Sequence, residues 1–335
     1  MVSSFALAGG VVFFALFCQM GTASAQQQPD FGSPVGCELG RDCFVQQYVD
    51  LEPAPDAVDP FCGRATYDGH DGTDIRVLSM PDMANGVPVL AVADGIVLRT
   101  RNEEPDRLVR TPEVRDAVAG RECGNGVVIE HAGGIETQYC HLRRGSVRVA
   151  PGDAVKKAQP IGEVGASGLA EFPHVHLSVR RDGKNIDPVT GRAQGQACDA
   201  SASLDASLFE AAVAPRLVAT GPQRLASGLA DRPVTEEMLV TNGSPSIPEP
   251  SATATVGWTW LVNLRKGDRL TVRLIAPDGL VFAENEIPPL DRDKATYVAY
   301  AGRKRAPAPG DYRVETIVRR GDATILSGTS VTRVE

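Results

Sequence analysis

From about residue 62 to residue 198, short apolar runs alternate with glycine-rich breaks, and no long stretch carries the 3.6-residue period of a helix. The runs predict strands over residues 87–92, 95–98, 127–130, 136–142, 147–149 and 174–179, with Ala132-Gly133-Gly134 turning a hairpin between the third and fourth. Pro151-Gly152-Asp153 and Gly165-Ala166-Ser167-Gly168 are further turn signals. A second alternating pattern predicts strands over 255–262, 269–275, 280–283, 296–301, 312–319 and 323–333, broken by Pro277-Asp278-Gly279 and Pro309-Gly310-Asp311. The fold expected is mainly β: an antiparallel-sheet domain over residues 61–198, then a small β-sandwich of immunoglobulin-like type over 251–335. An Ala-, Ser- and Pro-rich linker, 199–250, joins them, with one short helix expected near 208–213. Residues 26–60 show little periodicity and read as an extended arm pinned by cysteines. The charged segment 102–122 interrupts the first domain, either as a wall of a groove or as a solvated excursion.

Composition adds a compartment. Residues 1–25 carry an apolar run from Phe5 to Phe17 followed by Ala23-Ser24-Ala25, the pattern of a cleaved signal peptide. Of the seven cysteines, six lie beyond it: Cys37, Cys43, Cys62, Cys123, Cys140 and Cys198. An even set in an exported chain favours three disulfides, in any of fifteen pairings. The hairpin brings Cys123 near Cys140, and Cys37 and Cys43 are close in sequence, which leaves Cys62 for Cys198. The net charge of −8, without a basic patch, argues against a nucleic-acid partner or anionic lipid, and no stable membrane insertion is expected once the signal is removed.

Four of the five histidines fall in three short motifs: His70 with Asp74 in Gly-His-Asp-Gly-Thr-Asp, His141 in Tyr-Cys-His-Leu, and His174 with His176 in Pro-His-Val-His-Leu. His174 and His176 are two apart in a β-branched, apolar setting, so a strand directs both imidazoles to one face and Val175, Leu177 and Val179 to the other. The same arithmetic sets Thr137, Tyr139 and His141 on one face and turns Cys140 away from any site that contains His141. His70 and Asp74 flank Gly72, so a turn rather than a helix has to bring them together. Three such ligands plus a water make a catalytic zinc site, whereas a structural site is closed by four protein ligands. Trp258 and Trp260 share a strand face and are expected in a core.

The ordered series Gly69-His70-x-Gly72-x-Asp74, Gly124-Asn125-Gly126, Thr137-x-Tyr139-x-His141-Leu142, Gly165-x-Ser167-Gly168 and His174-x-His176 resembles the lysostaphin-like (LytM-type) zinc endopeptidases, over roughly residues 66–188. The resemblance implies one zinc per chain on His70, Asp74 and His176, with His141 and His174 as the catalytic pair and His131 outside the ligand set. It also implies a substrate, the peptide stems of peptidoglycan, and with the signal and disulfides a periplasmic location. The alternative is a catalytically silent module that binds the wall or activates another wall hydrolase. Such relatives usually lack a site residue, and here all five positions are filled.

Overall fold

The computed structural model describes residues 1–2 and 30–335. Apart from its first two residues, the expected signal peptide lies outside them. The first part of the chain contributes strands β1 (Cys43–Gln47), β2 (Thr73–Val77), β3 (Pro88–Leu90), β4 (Gly95–Arg101), β5 (Asn125–His131), β6 (Ile135–Leu142), β7 (Ala154–Val155), β8 (Pro160–Glu163), β9 (His174–Arg181) and β10 (Lys184–Ile186). Two short helices interrupt them, α1 (Met80–Ala84) and α2 (Pro112–Ala117). One antiparallel sheet runs β1-β2-β9-β6-β5-β4-β7, with β10 also on β9, and β3 pairs with β8 beside it. Strand β9 lies near the centre, so its apolar side chains can be covered on one face and its histidines presented on the other. Val175, Leu177 and Val179 are fully buried in a core shared with Val127, Ile129, Ile75 and Val77.

The second part contributes β11 (Gln223–Ala230), helix α3 (Glu236–Asn242), β12 (Thr255–Leu264), β13 (Arg269–Ile275), β14 (Val281–Ile287), β15 (Lys294–Arg303), β16 (Gly310–Arg320) and β17 (Ala323–Val334). A three-stranded sheet, β11-β12-β15, faces a four-stranded one, β14-β13-β16-β17. Leu261 and Ala301 of the first sheet pack with Val272, Val314 and Val318 of the second, which makes a two-layer sandwich. The alternate face of β12 carries Trp258, Trp260 and Val262, and these pack with Phe44 of β1, Phe172, and Leu239 and Val240 of α3. The paired tryptophans are therefore core residues between the two parts of the molecule. They clamp a cation: the buried Arg76 guanidinium sits 4.6 Å from the rings of both Phe172 and Trp260.

Several sequence expectations change here. Over its described residues, 30–60, the arm expected at 26–60 is not an appendage: it supplies edge strand β1, and Phe31, Val35 and Tyr48 enter the main core. The linker over 199–250 holds β11, which pairs along its length with β12, together with α3. The helix expected near 208–213 is a single 3₁₀ turn at Ala214–Leu217. Residues 147–149 form no strand, and the segment 102–122 contains α2. In each case local composition is polar or irregular and the pairing partner is distant, so only tertiary contact supplies the order.

The disulfides are Cys37–Cys43, Cys62–Cys198 and Cys123–Cys140. Cys62–Cys198 spans 136 residues and ties the entry of the first part to its exit. Among the described residues no helix is long and apolar enough to cross a membrane.

Candidate metal centre

The site begins with register. Strand β2 pairs antiparallel with β9 so that Asp74 stands opposite His176 and Arg76 opposite His174. Directly opposed residues share a face, so one carboxylate and two imidazoles converge without any distortion of either strand. His70 arrives from the turn before β2. Its approach depends on Gly72: a Cβ there would lie 2.5 Å from His176 Nε2 and 2.8 Å from the Leu177 carbonyl oxygen.

Each ring is oriented by its second nitrogen. His70 Nδ1–H donates to the Tyr48 carbonyl at 2.6 Å, which leaves Nε2 facing inward. His176 Nε2–H donates to Asp71 Oδ1 at 3.0 Å, with Ser178 Oγ 2.9 Å away, which leaves Nδ1 facing inward. His70 Nε2 lies 3.1 Å from His176 Nδ1 and 3.2 Å from Asp74 Oδ2, and His176 Nδ1 lies 2.8 Å from Asp74 Oδ1. A tetrahedral ion with bonds of about 2.0–2.1 Å separates its ligands by about 3.3 Å. The donor set therefore fits a zinc-like ion in type, number and spacing. All three side chains are buried, where an unpaired charge would be costly.

His141 reaches the site differently. Its φ is +60°, in the left-handed region that a non-glycine residue rarely adopts. Two contacts hold it there. The His141 N–H donates to the Cys123 carbonyl at 2.8 Å, and its Nδ1–H donates to the Ser167 carbonyl at 2.8 Å. The Ser167 hydroxyl, in turn, donates to the Leu142 carbonyl at 2.7 Å and accepts from the Asn125 N–H at 2.9 Å. Gly124 and Gly168 make this corner feasible: a Cβ on Gly124 would sit 2.4 Å from the Ser167 carbonyl carbon, and one on Gly168 would sit 2.2 Å from the Glu122 carbonyl oxygen. The two glycine motifs of the sequence thus become the scaffold of one histidine.

The left-handed residue overturns a sequence expectation. Strict alternation sets Cys140 away from the site and Tyr139 beside His141. Instead Cys140 stands opposite His176 and Gln138 opposite Ser178, both on the site's face. Tyr139 is fully buried among the core residues, and its hydroxyl accepts from the Val92 N–H at 2.9 Å. Reversing φ at His141 rotates that side chain back to the face its neighbour Cys140 already occupies, so alternation fails at this residue.

His174 lies beside His141, with ring centroids 4.5 Å apart, and its Nδ1–H donates to the Phe172 carbonyl at 2.8 Å. Since a carbonyl only accepts, both rings carry hydrogen on Nδ1 and, when neutral, offer a bare Nε2. His174 Nε2 is 3.6 Å from Asp74 Oδ1. Burial, reinforced by His174 and His176, pushes the proton off His141, holding its pKa well below the ordinary imidazole value. Burial also lowers His174, against the pull of Asp74. For His176, burial acts downward, but hydrogen bonds to Asp71 and Asp74 outweigh it and carry the group up to about 9 in the metal-free chain. Burial alone would raise the Asp74 carboxyl, yet His70, His174 and His176 hold it well below the usual carboxylate range.

His131 takes no part. Its Nδ1–H donates to the Asp94 carbonyl at 2.9 Å, and its Nε2 accepts from the Thr137 hydroxyl at 2.7 Å. Sequence reasoning missed Asp71 and Ser178. The signal for Ser178 was present, because it lies two residues beyond His176 on the same strand face; Asp71 sits between His70 and Gly72 with nothing to mark its direction. Two clefts meet above the site, sharing Tyr67, His141 and Leu169. One, of about 230 Å³, runs past Asp71, Gln138 and Cys140; the other, of about 400 Å³, runs past His174 towards α3.

Residues 68–188 match the sequence model of peptidase family M23. The chain is 35% identical over 107 residues to the DD-carboxypeptidase/endopeptidase Mpg of Neisseria meningitidis, covering 31% of this chain and 20% of that protein. It is 30% identical over 118 residues to the peptidoglycan DD-endopeptidase ShyA of Vibrio cholerae, covering 35% and 22%. The match thus spans about a fifth of the length of each of these two relatives. Among solved structures, the catalytic domain of lysostaphin from Staphylococcus simulans is 21% identical with a TM-score of 0.28, covering 42% of this chain and 85% of that one. The similarity to peptidase family M23 is confined to residues 68–188, the segment that carries all five histidine and aspartate positions of the site.

Proposed function

We propose that this protein is an exported zinc endopeptidase that hydrolyses peptide cross-links of bacterial peptidoglycan. The observation that carries the reading is the convergence of His70, Asp74 and His176 within ligand distance of one another, beside two imidazoles that each offer a bare Nε2. The family match and the DD-endopeptidase relatives support the reaction class, and three disulfides support export. In this reading His70, Asp74 and His176 hold one zinc. When bound, the ion supplies Lewis acidity, lowering the pKa of a ligated water and polarising a carbonyl.

The remaining work falls to the chain itself. Asp71 and the Tyr48 carbonyl lock the ligand rings in one tautomer and orientation, as outer partners of metal ligands do. His141 and His174 stay neutral at working pH because burial disfavours their charged forms, so either Nε2 can accept a proton from the attacking water. The protonated ring is then a donor, able to stabilise negative charge developing on the carbonyl oxygen or to return its proton to the leaving amine. In a wall with the composition of a thin Gram-negative envelope, the bond cut joins D-alanine to meso-diaminopimelate.

Metal analysis of the purified chain is expected to give about one zinc. Chelation abolishes release of muropeptides from isolated sacculi, and His141→Ala abolishes release while keeping its zinc, a loss of at least about 10²-fold. Normal release by His141→Ala overturns the catalytic assignment. Zinc bound by the native chain without any release favours the silent wall-binding module instead.

A further inference from the structure

The larger cleft extends beyond His174 to a wall that the peptidase fold does not supply. Glu236, the first residue of α3, and Thr296 of β15 line its far side. That wall is held in place by the Arg76 clamp between Phe172 and Trp260 and by the apolar cluster joining Phe44 to Leu239 and Val240. On that side the cleft is therefore bounded by packed elements of the same chain.

Its charge is balanced in a specific way. Arg110 faces Glu236 across the cleft at 3.9 Å, the outer limit of an ion pair, and each side chain is only about a third exposed (33% and 30%). Among the described residues neither side chain has a hydrogen-bond partner. A second pair, Arg115 with Glu171 at 3.2 Å, lines the same cleft. A ligand carrying only a carboxylate that takes Arg110 sets its charge beside the Glu236 carboxylate, which then keeps only the more distant, buried Arg76 guanidinium as a counter-charge. A ligand carrying only an amine faces the converse difficulty. A ligand with both groups exchanges partners with both side chains and leaves no charge unmatched.

Resting on the peptidase reading of the neighbouring site, we infer that Arg110 and Glu236, where they line the cleft, form a subsite for an amphoteric residue of the wall peptide, one with a free carboxylate and a free amine on the same side chain. Arg110 takes the carboxylate and Glu236 the ammonium, so α3 and the following sandwich act as part of the substrate groove. The two residues are specificity determinants and lie outside the catalytic pair.

The test uses the full chain carrying His141→Ala, so that bound peptide is not turned over. Calorimetry compares three synthetic cross-linked peptides. In the first, the diamino-diacid residue keeps its free carboxylate and amine; in the second that carboxylate is amidated; in the third the amine is acetylated. The intact peptide is expected to bind about tenfold more tightly than either derivative, as for loss of one charge-assisted hydrogen bond. Adding Glu236→Gln removes the preference over the acetylated peptide alone, and adding Arg110→Gln removes the preference over the amidated one alone, with zinc content unchanged. Equal binding of all three peptides, absence of binding, or preferences that survive both substitutions overturns the subsite. Cleavage by the chain with His141 intact is scored separately. Preferences without cleavage sustain the subsite and sink the peptidase reading, whereas cleavage without preferences does the reverse.

Discussion

The two halves of the candidate centre are built by different physics. Asp74, His174 and His176 sit on paired strands, where register alone brings them to one face. His141 sits at a corner, in a left-handed conformation held by Cys123, Ser167 and the space left by Gly124 and Gly168. The strand half uses regular backbone in unbroken register, whereas the corner stores strain that its surroundings must hold. In the proposed function the division matters, since the regular half would supply two of the three ligands and one proton acceptor, His174, whereas the strained half would position the other. Binding needs a stable cage, and catalysis needs a ring placed to within a fraction of an ångström.

The largest expected effect separates the halves. Gly124→Ala adds a methyl 2.4 Å from the Ser167 backbone at a φ of +61° and so displaces the corner. Turnover is expected to fall by about 10²-fold or more while zinc content stays at the native value. Gly72→Ala, whose Cβ would sit 2.5 Å from His176 Nε2, is expected to lose the zinc itself. Loss of metal by Gly124→Ala, measured by atomic absorption on folded protein, would break the comparison.

A milder change sharpens it. Asp71→Asn weakens the acceptor on His176 Nε2 without touching His141. Zinc affinity, measured by competition with a chromophoric chelator, is expected to drop by about 10–100-fold. The kcat of the fully loaded variant should stay close to native, because the proton-accepting rings are unmoved; a fall in kcat with unchanged affinity would place Asp71 in the other half.

The smallest effect is a pH dependence of opposite sign in the two halves. The metal-free pKa of His176 lies at about 9, above its unfolded value of about 6.5. Its contribution to stability is therefore fully present below about pH 6.5 and is lost as pH rises through about 9. His141 is depressed, so the folded chain resists its protonation and loses stability only as pH falls below about 6.5. Chelated protein is expected to melt a few degrees lower at pH 9 than at pH 7, and Asp71→Asn should reduce that slope. Melting that is flat across this interval would remove the carboxylate–imidazole coupling from the account.

Much of this was legible in the residues. Period-two alternation identified most strands of both parts, and the His174–His176 spacing set two imidazoles on one face because a strand leaves no other choice. The Ala132-Gly133-Gly134 turn and the cysteine spacings led to the observed bridges. What failed was anything dependent on a distant partner or an irregular backbone angle. The strand in residues 43–47 and the one in 223–230 exist because β2 and β12 offer edges to pair with, and Cys140 faces the site because one residue later φ changes sign.

The sequence by itself determined the chemistry available, a carboxylate and four imidazoles in motifs with glycine wherever two backbones must nearly touch. Only the tertiary structure decided which nitrogen of each ring faces inward, since that choice is made by the Tyr48, Ser167 and Phe172 carbonyls and by Asp71, groups whose direction no local pattern encodes. It also decided that the second part of the chain walls the groove. The contact holding it there, a guanidinium between two aromatic rings, joins residues 76, 172 and 260, whose meeting is a property of the packed core and of no single segment.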